Sequence, residues 1–176
     1  AEAERASQTM LVPVQYQRLL ALPDFDRHDL SAFRAKQCTG APLSPALKRE
    51  IVARWPGAFL EIYGLTEGGC TSILDAAAHP DKAHTVGQPA PGNDIRVIDE
   101  HGADVPPGQP GEIVGRSAMM MSGYFRNPEA ERAFYWRDSA GILYHRTGDI
   151  GRFDEDGFLI LLDRKKDVII SGGSNI

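Results

Sequence analysis

Tyr63-Gly64-Leu65-Thr66-Glu67-Gly68-Gly69 follows directly on Phe59-Leu60-Glu61-Ile62, a run that reads as a strand. An aromatic ring, a hydroxyl and a carboxylate fall close together, framed by glycines. Polar groups on a glycine-bordered turn at a strand's C-terminal end stand where α/β sheets bind ligands. Glycine also lets backbone come close to a ligand. Thr66 can donate a hydrogen bond to a phosphate oxygen, and Glu67 offers hard oxygens suited to Mg²⁺. A plain strand-to-loop turn with one surface carboxylate accounts for the same seven residues. What surrounds the turn decides between the two.

Upstream, helix and strand patterns alternate. Met10-Leu11-Val12 is a short apolar run closed by Pro13. Tyr16, Leu19 and Leu20 then recur at helical spacing up to Pro23, predicting a helix over 14–22. Leu30 and Phe33 suggest a short helix, and residues 34–38 a strand before Thr39-Gly40-Ala41-Pro42. Ser44-Pro45 combines a hydroxyl N-cap with proline at the first helical position. Leu47, Ile51 and Trp55 make one apolar stripe, and Pro56-Gly57 ends that helix. This alternation predicts part of a parallel sheet covered by helices, over residues 1–80.

Downstream the composition shifts. Residues 76–93 are rich in Ala, Pro, Gly and His and read as irregular loop. Short strands are predicted at Ile95–Asp99, Glu112–Arg116, Ile142–His145, Phe158–Leu162 and Val168–Ile170. Pro106-Pro107-Gly108-Gln109-Pro110-Gly111 forces a reversal, and Asp154-Glu155-Asp156-Gly157 reads as a hairpin turn. Asn127 and Pro128 start one intervening helix. Residues 81–163 are therefore expected to form a small barrel-like β-subdomain. The expected fold class is α/β plus β.

The totals exclude several classes. A net charge of −5 gives no basic footprint for nucleic acid or an anionic membrane. Cys38 and Cys70 are the only cysteines, which argues against a disulfide framework or zinc site and fits a reducing, cytoplasmic setting. His28, His79, His84, His101 and His145 show no metal-ligand spacing. No apolar run approaches the ~18 residues of a membrane span, and the polar start is no signal peptide. The chain opens without Met and stops directly after an apolar run, as expected of a piece of a longer protein.

Two further clusters carry chemistry. In Thr147-Gly148-Asp149 the carboxylate can accept both hydroxyls of a vicinal diol such as a ribose, although an Asp in a glycine turn is the commoner source of that pattern. In Asp163-Arg164-Lys165-Lys166-Asp167, Arg164 could share such a diol, while a solvated charged connector explains the run as well. The apolar run that follows ends in Ser171-Gly172-Gly173, where the glycines permit close backbone approach or a simple turn.

Taken in order, Y-G-L-T-E-G, V-G-Q-P-A-P-G, G-E-I-V-G-R-S, G-Y-F-R-N-P-E-A and Y-H-R-T-G-D-I-G-R-F-D-E-D-G-F-L-I-L-L-D-R-K-K-D-V-I-I-S-G-G-S-N-I resemble the adenylate-forming superfamily of acyl-CoA synthetases, peptide-synthetase adenylation domains and luciferases. The terminal S-G-G-x-N-I is similar to the acid–CoA ligase branch. The likeness implies activation of a carboxylic acid by ATP to an acyl-adenylate, then thioester formation with CoA. An adenylation domain loading a carrier protein and a non-catalytic nucleotide-binding module are the alternatives.

The resemblance also implies roles. Thr66 would contact the AMP phosphate and Glu67 would hold Mg²⁺. Tyr63 would lie against adenine, with Gly40 and Ala41 on its other face. Asp149 and Arg164 would bind the ribose. Val12-Pro13, Gly64 and Gly68 would border the acyl pocket. Lys166 matches the hinge of a C-terminal domain beginning within 164–176, and Ser171, Gly172 and Gly173 resemble a loop lining a pantetheine tunnel. Thr39 and Ser174 depart from the family pattern without touching these contacts. The family's phosphate loop and catalytic lysine would lie outside this stretch, so the stretch alone is expected to be inactive.

Overall fold

The computed structural model describes residues 1–164, 170–171 and 174–175, with side chains over 1–162. They divide into two compact units. Of the described residues, 1–62, 74–84, 170–171 and 174–175 belong to the first, and 63–73 and 85–164 to the second.

In the first unit β1 (Gln8–Leu11), β2 (Ala35–Cys38) and β3 (Ala58–Gly64) run parallel, with Gln8 opposite Ala35 and Ala35 opposite Ala58. Two helices provide the crossovers, α1 (Pro13–Leu20) and α2 (Pro45–Arg54). This is the βαβ logic that the alternating pattern predicts. Pro13 starts α1 rather than closing the run before it, because the first helical position needs no N–H donor. At Leu30–Phe33 there is a turn, with Phe33 N–H donating to Leu30 O, in place of the expected helix. The local helical piece is instead a 3₁₀ turn over Phe25–Arg27.

Ser44 caps α2 as the sequence predicts, its Oγ accepting from Leu47 N–H at 3.2 Å. Ser44→Ala should cost about 1 kcal/mol, read as a lower denaturant midpoint with unchanged slope. The stripe on α2 is only partly the expected one. Ile51 and Trp55 are buried, but Lys48 rather than Leu47 completes the buried face. Its ammonium pairs with the Glu61 carboxylate on β3, which is the condition for a lysine to be inside. Burial pushes Glu61 above the usual carboxylate range, against the pull of Lys48. Trp55 sits among Phe33, Phe25 and Tyr16 with ring centroids 5.0, 5.4 and 5.8 Å away, all edge-on. Lys36, also buried, donates to the carbonyls of Pro56 and Gly57 at 2.7 Å each and so fixes the turn into β3.

The second unit is built on an antiparallel sheet in the order β10 (Leu159–Arg164), β9 (Leu143–Phe153), β7 (Gly111–Arg116), β6 (Asp94–Ile98), with β8 (Tyr135–Arg137) also paired to β9. The sheet curls into a half-barrel around Cys70, Val86, Ile95, Val97, Ile113 and Leu159. Its other face holds Ile98, Val114 and Tyr144 under Trp136. Asn127 caps α3 (Pro128–Phe134), and Asp154 accepts from the N–H groups of Asp156 and Phe158 in the β9–β10 hairpin. Both were legible as turn chemistry.

Two strands were not. β4 (Thr71–Asp75) pairs with β5 (Gln88–Pro89), which lies inside the stretch read as loop. In β4 an inward position is Ser72, whose hydroxyl donates to Val86 O at 2.8 Å. A polar residue at an inward position hides the period-two signal. No helix among the described residues is long and apolar enough to cross a membrane.

Candidate functional site

Tyr63 ends the apolar part of β3, and the chain then turns through Leu65–Cys70 before β4. Gly68 and Gly69 carry the turn at φ +74° and +86°, a region that disfavours any side chain. Gly68 has a second reason to be glycine. A Cβ there would lie 2.1 Å from Met119 O. The stretch after β7 therefore runs against the turn, and Met121 N–H donates to Glu67 O at 2.8 Å. Met119 itself is exposed, and Met119 and Met121 meet the turn through their backbone.

Thr66 is exposed and Glu67 half-buried. The Glu67 carboxylate accepts a hydrogen bond at Oε1 from the Tyr124 hydroxyl, at 2.8 Å. Burial first, and the neighbouring carboxylate second, push the Tyr124 phenol up to about 12. It is thus a neutral donor throughout the physiological range. His145 Nδ1 lies 3.2 Å from Gly68 O. His145 is fully buried between Phe134 and Tyr135, with centroids 4.4 and 5.1 Å away. Desolvation lowers its pKa, so the ring is neutral and Nδ1–H is the natural donor to Gly68 O.

Thr147-Gly148-Asp149 is not a turn after a strand, as expected, but lies within β9. Arg146 is opposite Val114 while Ile150 is opposite Glu112, so residues 147–149 face Ile113 alone. This bulge has Gly148 at φ +71°, and bulges re-aim side chains beside binding sites. Thr147 Oγ1 locks it, donating to Ile113 O at 2.9 Å and accepting from Asp149 N–H at 3.0 Å. Asp149 is thereby turned inward, 5% exposed. Its Oδ2 accepts from the Tyr63 hydroxyl at 2.8 Å. Burial, then Cys70 and Asp149, raise the Tyr63 phenol far above its ordinary value. The Cys70 thiol, buried by the same packing, rises to about 12 and is no nucleophile.

Tyr63, at the start of the turn, therefore connects it to the Asp149 bulge within one unit. Arg164 stands directly opposite Asp149 in the β9–β10 register. Gly64 ends β3, where a Cβ would meet Cys70 O at 2.8 Å. In the other unit Gly40, at φ +87°, and Ala41 follow the C-terminal end of β2, and Val12-Pro13 form the start of α1. Ser171 lies in a two-residue strand, Ile170–Ser171, paired with Ser174–Asn175. Lys166, Gly172 and Gly173, and with them most of the expected hinge, lie outside the described residues. Tyr124 and His145 were not singled out from the sequence. Each sat in a quoted motif, but nothing local points from either to a turn 57 or 77 positions away.

No group of three or more His, Cys, Asp or Glu among the described residues is placed to hold a metal ion alone. Mg²⁺ that keeps its waters and sits on substrate phosphates needs only one or two carboxylates. Glu67, with one oxygen bound to a neutral donor, fits that requirement.

Over residues 1–125 the chain matches the family described as AMP-binding enzyme. It is 38% identical to a feruloyl-CoA synthase of Amycolatopsis sp over 176 residues, 99% of this chain and 35% of that protein. It is 36% identical to an indoleacetate–CoA ligase of Aromatoleum aromaticum, covering 99% and 33%. Among solved structures it superimposes on the amide bond synthetase McbA from Marinactinospora thermotolerans with a TM-score of 0.87 and 36% identity, covering 99% and 35%. The chain thus spans about a third of the length of the curated relatives it matches.

Proposed function

The chain belongs to the AMP-binding enzyme family, and on that footing we propose that the whole protein is an ATP-dependent acid–CoA ligase, with an aromatic or fatty carboxylic acid as substrate. The observation that carries this is the Tyr63–Asp149 hydrogen bond. It ties a turn bearing a hydroxyl and a carboxylate to a buried diol-binding carboxylate, which is the pairing a nucleoside triphosphate needs. The names of the relatives supply the acid and the thiol.

In this reading a carboxylate oxygen attacks the α-phosphorus of ATP and pyrophosphate leaves with the electrons of the broken P–O bond. The CoA sulfur then attacks the acyl carbon, loses its proton, and AMP leaves. Neither step needs a protein nucleophile. The residues position groups and stabilise charge. Thr66 donates to the α-phosphate. Asp149 accepts the ribose hydroxyls, and Arg164, opposite it in the strand pair, would donate to a ribose oxygen. Gly40 and Ala41 contact the nucleotide. Mg²⁺, when bound, neutralises phosphate charge, and Glu67 would hold it. Lys166 is the proposed hinge between the half-reactions, and Ser171-Gly172-Gly173 the proposed pantetheine contact. The proposed setting is cytoplasmic.

The likeness to an amide bond synthetase supports a second reading, in which an amine rather than CoA takes the acyl group from the same adenylate. One experiment separates them. Pyrophosphate release by the full-length enzyme is measured over a panel of short, long and aromatic acids, with CoA or a simple amine as acceptor. Acid-dependent release with a thioester product is the expected outcome. Amide product with no thioester selects the second reading, and no acid-dependent release sinks both.

A further inference from the structure

Tyr124 plays no part in the chemistry above, yet its hydroxyl is the one group among the described residues that donates to the Glu67 carboxylate. The bond is not incidental to a mobile loop. The Tyr124 ring packs edge-on against Phe134 of α3 at 5.5 Å. The same stretch of chain holds the turn's backbone through Met121 N–H and the close approach of Met119 O to Gly68. The carboxylate is thus fixed at both ends, by the main chain of its own residue and by Tyr124 on Oε1. A cation that uses Oε2 alone leaves this arrangement intact. One that chelates both oxygens has to share Oε1 with the tyrosine hydroxyl, which already takes one of that oxygen's two lone pairs.

Mg²⁺ and Ca²⁺ differ in this respect. Mg²⁺ demands a near-octahedral shell of single oxygens at short distance, while Ca²⁺ takes six to eight ligands and readily accepts bidentate carboxylates. We propose that Tyr124 is a positioning residue that keeps Glu67 a one-oxygen ligand and so sets the site's preference for small divalent cations over large ones. This rests on the assignment of Glu67 as the metal ligand.

The test uses the full-length enzyme and does not depend on turnover. Mn²⁺ binding in the presence of a non-hydrolysable ATP analogue is followed by EPR, and Mg²⁺ or Ca²⁺ is used to compete it off. Tyr124→Phe keeps the ring against Phe134 and removes only the hydroxyl. The Ca²⁺-to-Mg²⁺ competition ratio should move toward Ca²⁺ by about tenfold, the scale of one hydrogen bond to a charged group. An unchanged ratio overturns the inference. In a Glu67→Gln background the same tyrosine change should shift nothing, and an equal shift in both backgrounds overturns it too. Glu67→Gln alone checks the assignment beneath. It should weaken Mn²⁺ binding, and unaltered binding means that Glu67 is not the ligand. Weakened binding in Glu67→Gln with no shift in Tyr124→Phe removes this inference and leaves the ligase reading standing.

Discussion

Gly68→Ala in the full-length enzyme should cut kcat/KM for adenylate formation by about 100-fold, equivalent to about 3 kcal/mol. Two costs combine. At φ +74° an alanine pays for left-handed backbone, about 1–2 kcal/mol. Its Cβ would also stand 2.1 Å from Met119 O and 2.8 Å from Met119 C. Both are main-chain atoms, so no rotamer relieves the clash, and forced overpacking adds about 1–3 kcal/mol. The turn has to move, and it carries Thr66 and Glu67 with it. Gly69 and Gly108 serve as internal comparisons. At Gly69, φ +86°, the new Cβ would meet Gly115 O at 3.0 Å and the movable Met120 side chain at 3.1 Å. At Gly108, φ +85°, it meets nothing within 4 Å. Adenylation should therefore fall most for Gly68→Ala, less for Gly69→Ala, and hardly at all for Gly108→Ala. Equal losses at Gly68 and Gly108 would mean that the approach of Met119 is irrelevant to the site.

These comparisons also show what a sequence can and cannot reveal here. Ser44-Pro45, Asn127-Pro128 and Asp154-Glu155-Asp156-Gly157 declare themselves because capping and turn chemistry is local: donor and acceptor lie within four residues. The Thr66-Glu67 pair is legible for the same reason, its glycines and polar groups being adjacent. What was missed is set by distant partners. Lys48 reads as a surface residue until Glu61 is seen across from it. Gly148 reads as the end of a strand, because a left-handed glycine in a bulge and one in a turn look alike in sequence. Tyr124 and His145 gain meaning only once the chain after β7 and the strand β9 are brought to the turn. The sequence thus displays the groups of the candidate site better than the supports that aim them.

Asp149→Ala should raise the KM for ATP by about 10- to 100-fold, the loss of hydrogen bonds to a charged group being worth about 1.5–3 kcal/mol. The affinity for the carboxylic acid should change far less. The alanine variant alone is ambiguous, because it also strips the part-buried Tyr63 hydroxyl of its acceptor at 2.8 Å. An unsatisfied buried donor costs about 1–3 kcal/mol of stability. Asp149→Asn separates the two effects. Its amide oxygen can still accept from Tyr63, so the unfolding midpoint should stay near that of the parent. It has lost the charge and one of two acceptors, so two ribose hydroxyls can no longer both be taken. ATP binding should therefore fall almost as far as in the alanine variant. Tyr63→Phe makes the converse change, removing the donor and leaving the carboxylate charged, and should cost ATP affinity much less than either. If Asp149→Asn binds ATP like the parent while Asp149→Ala does not, Asp149 serves only to satisfy Tyr63, and the diol must be held elsewhere.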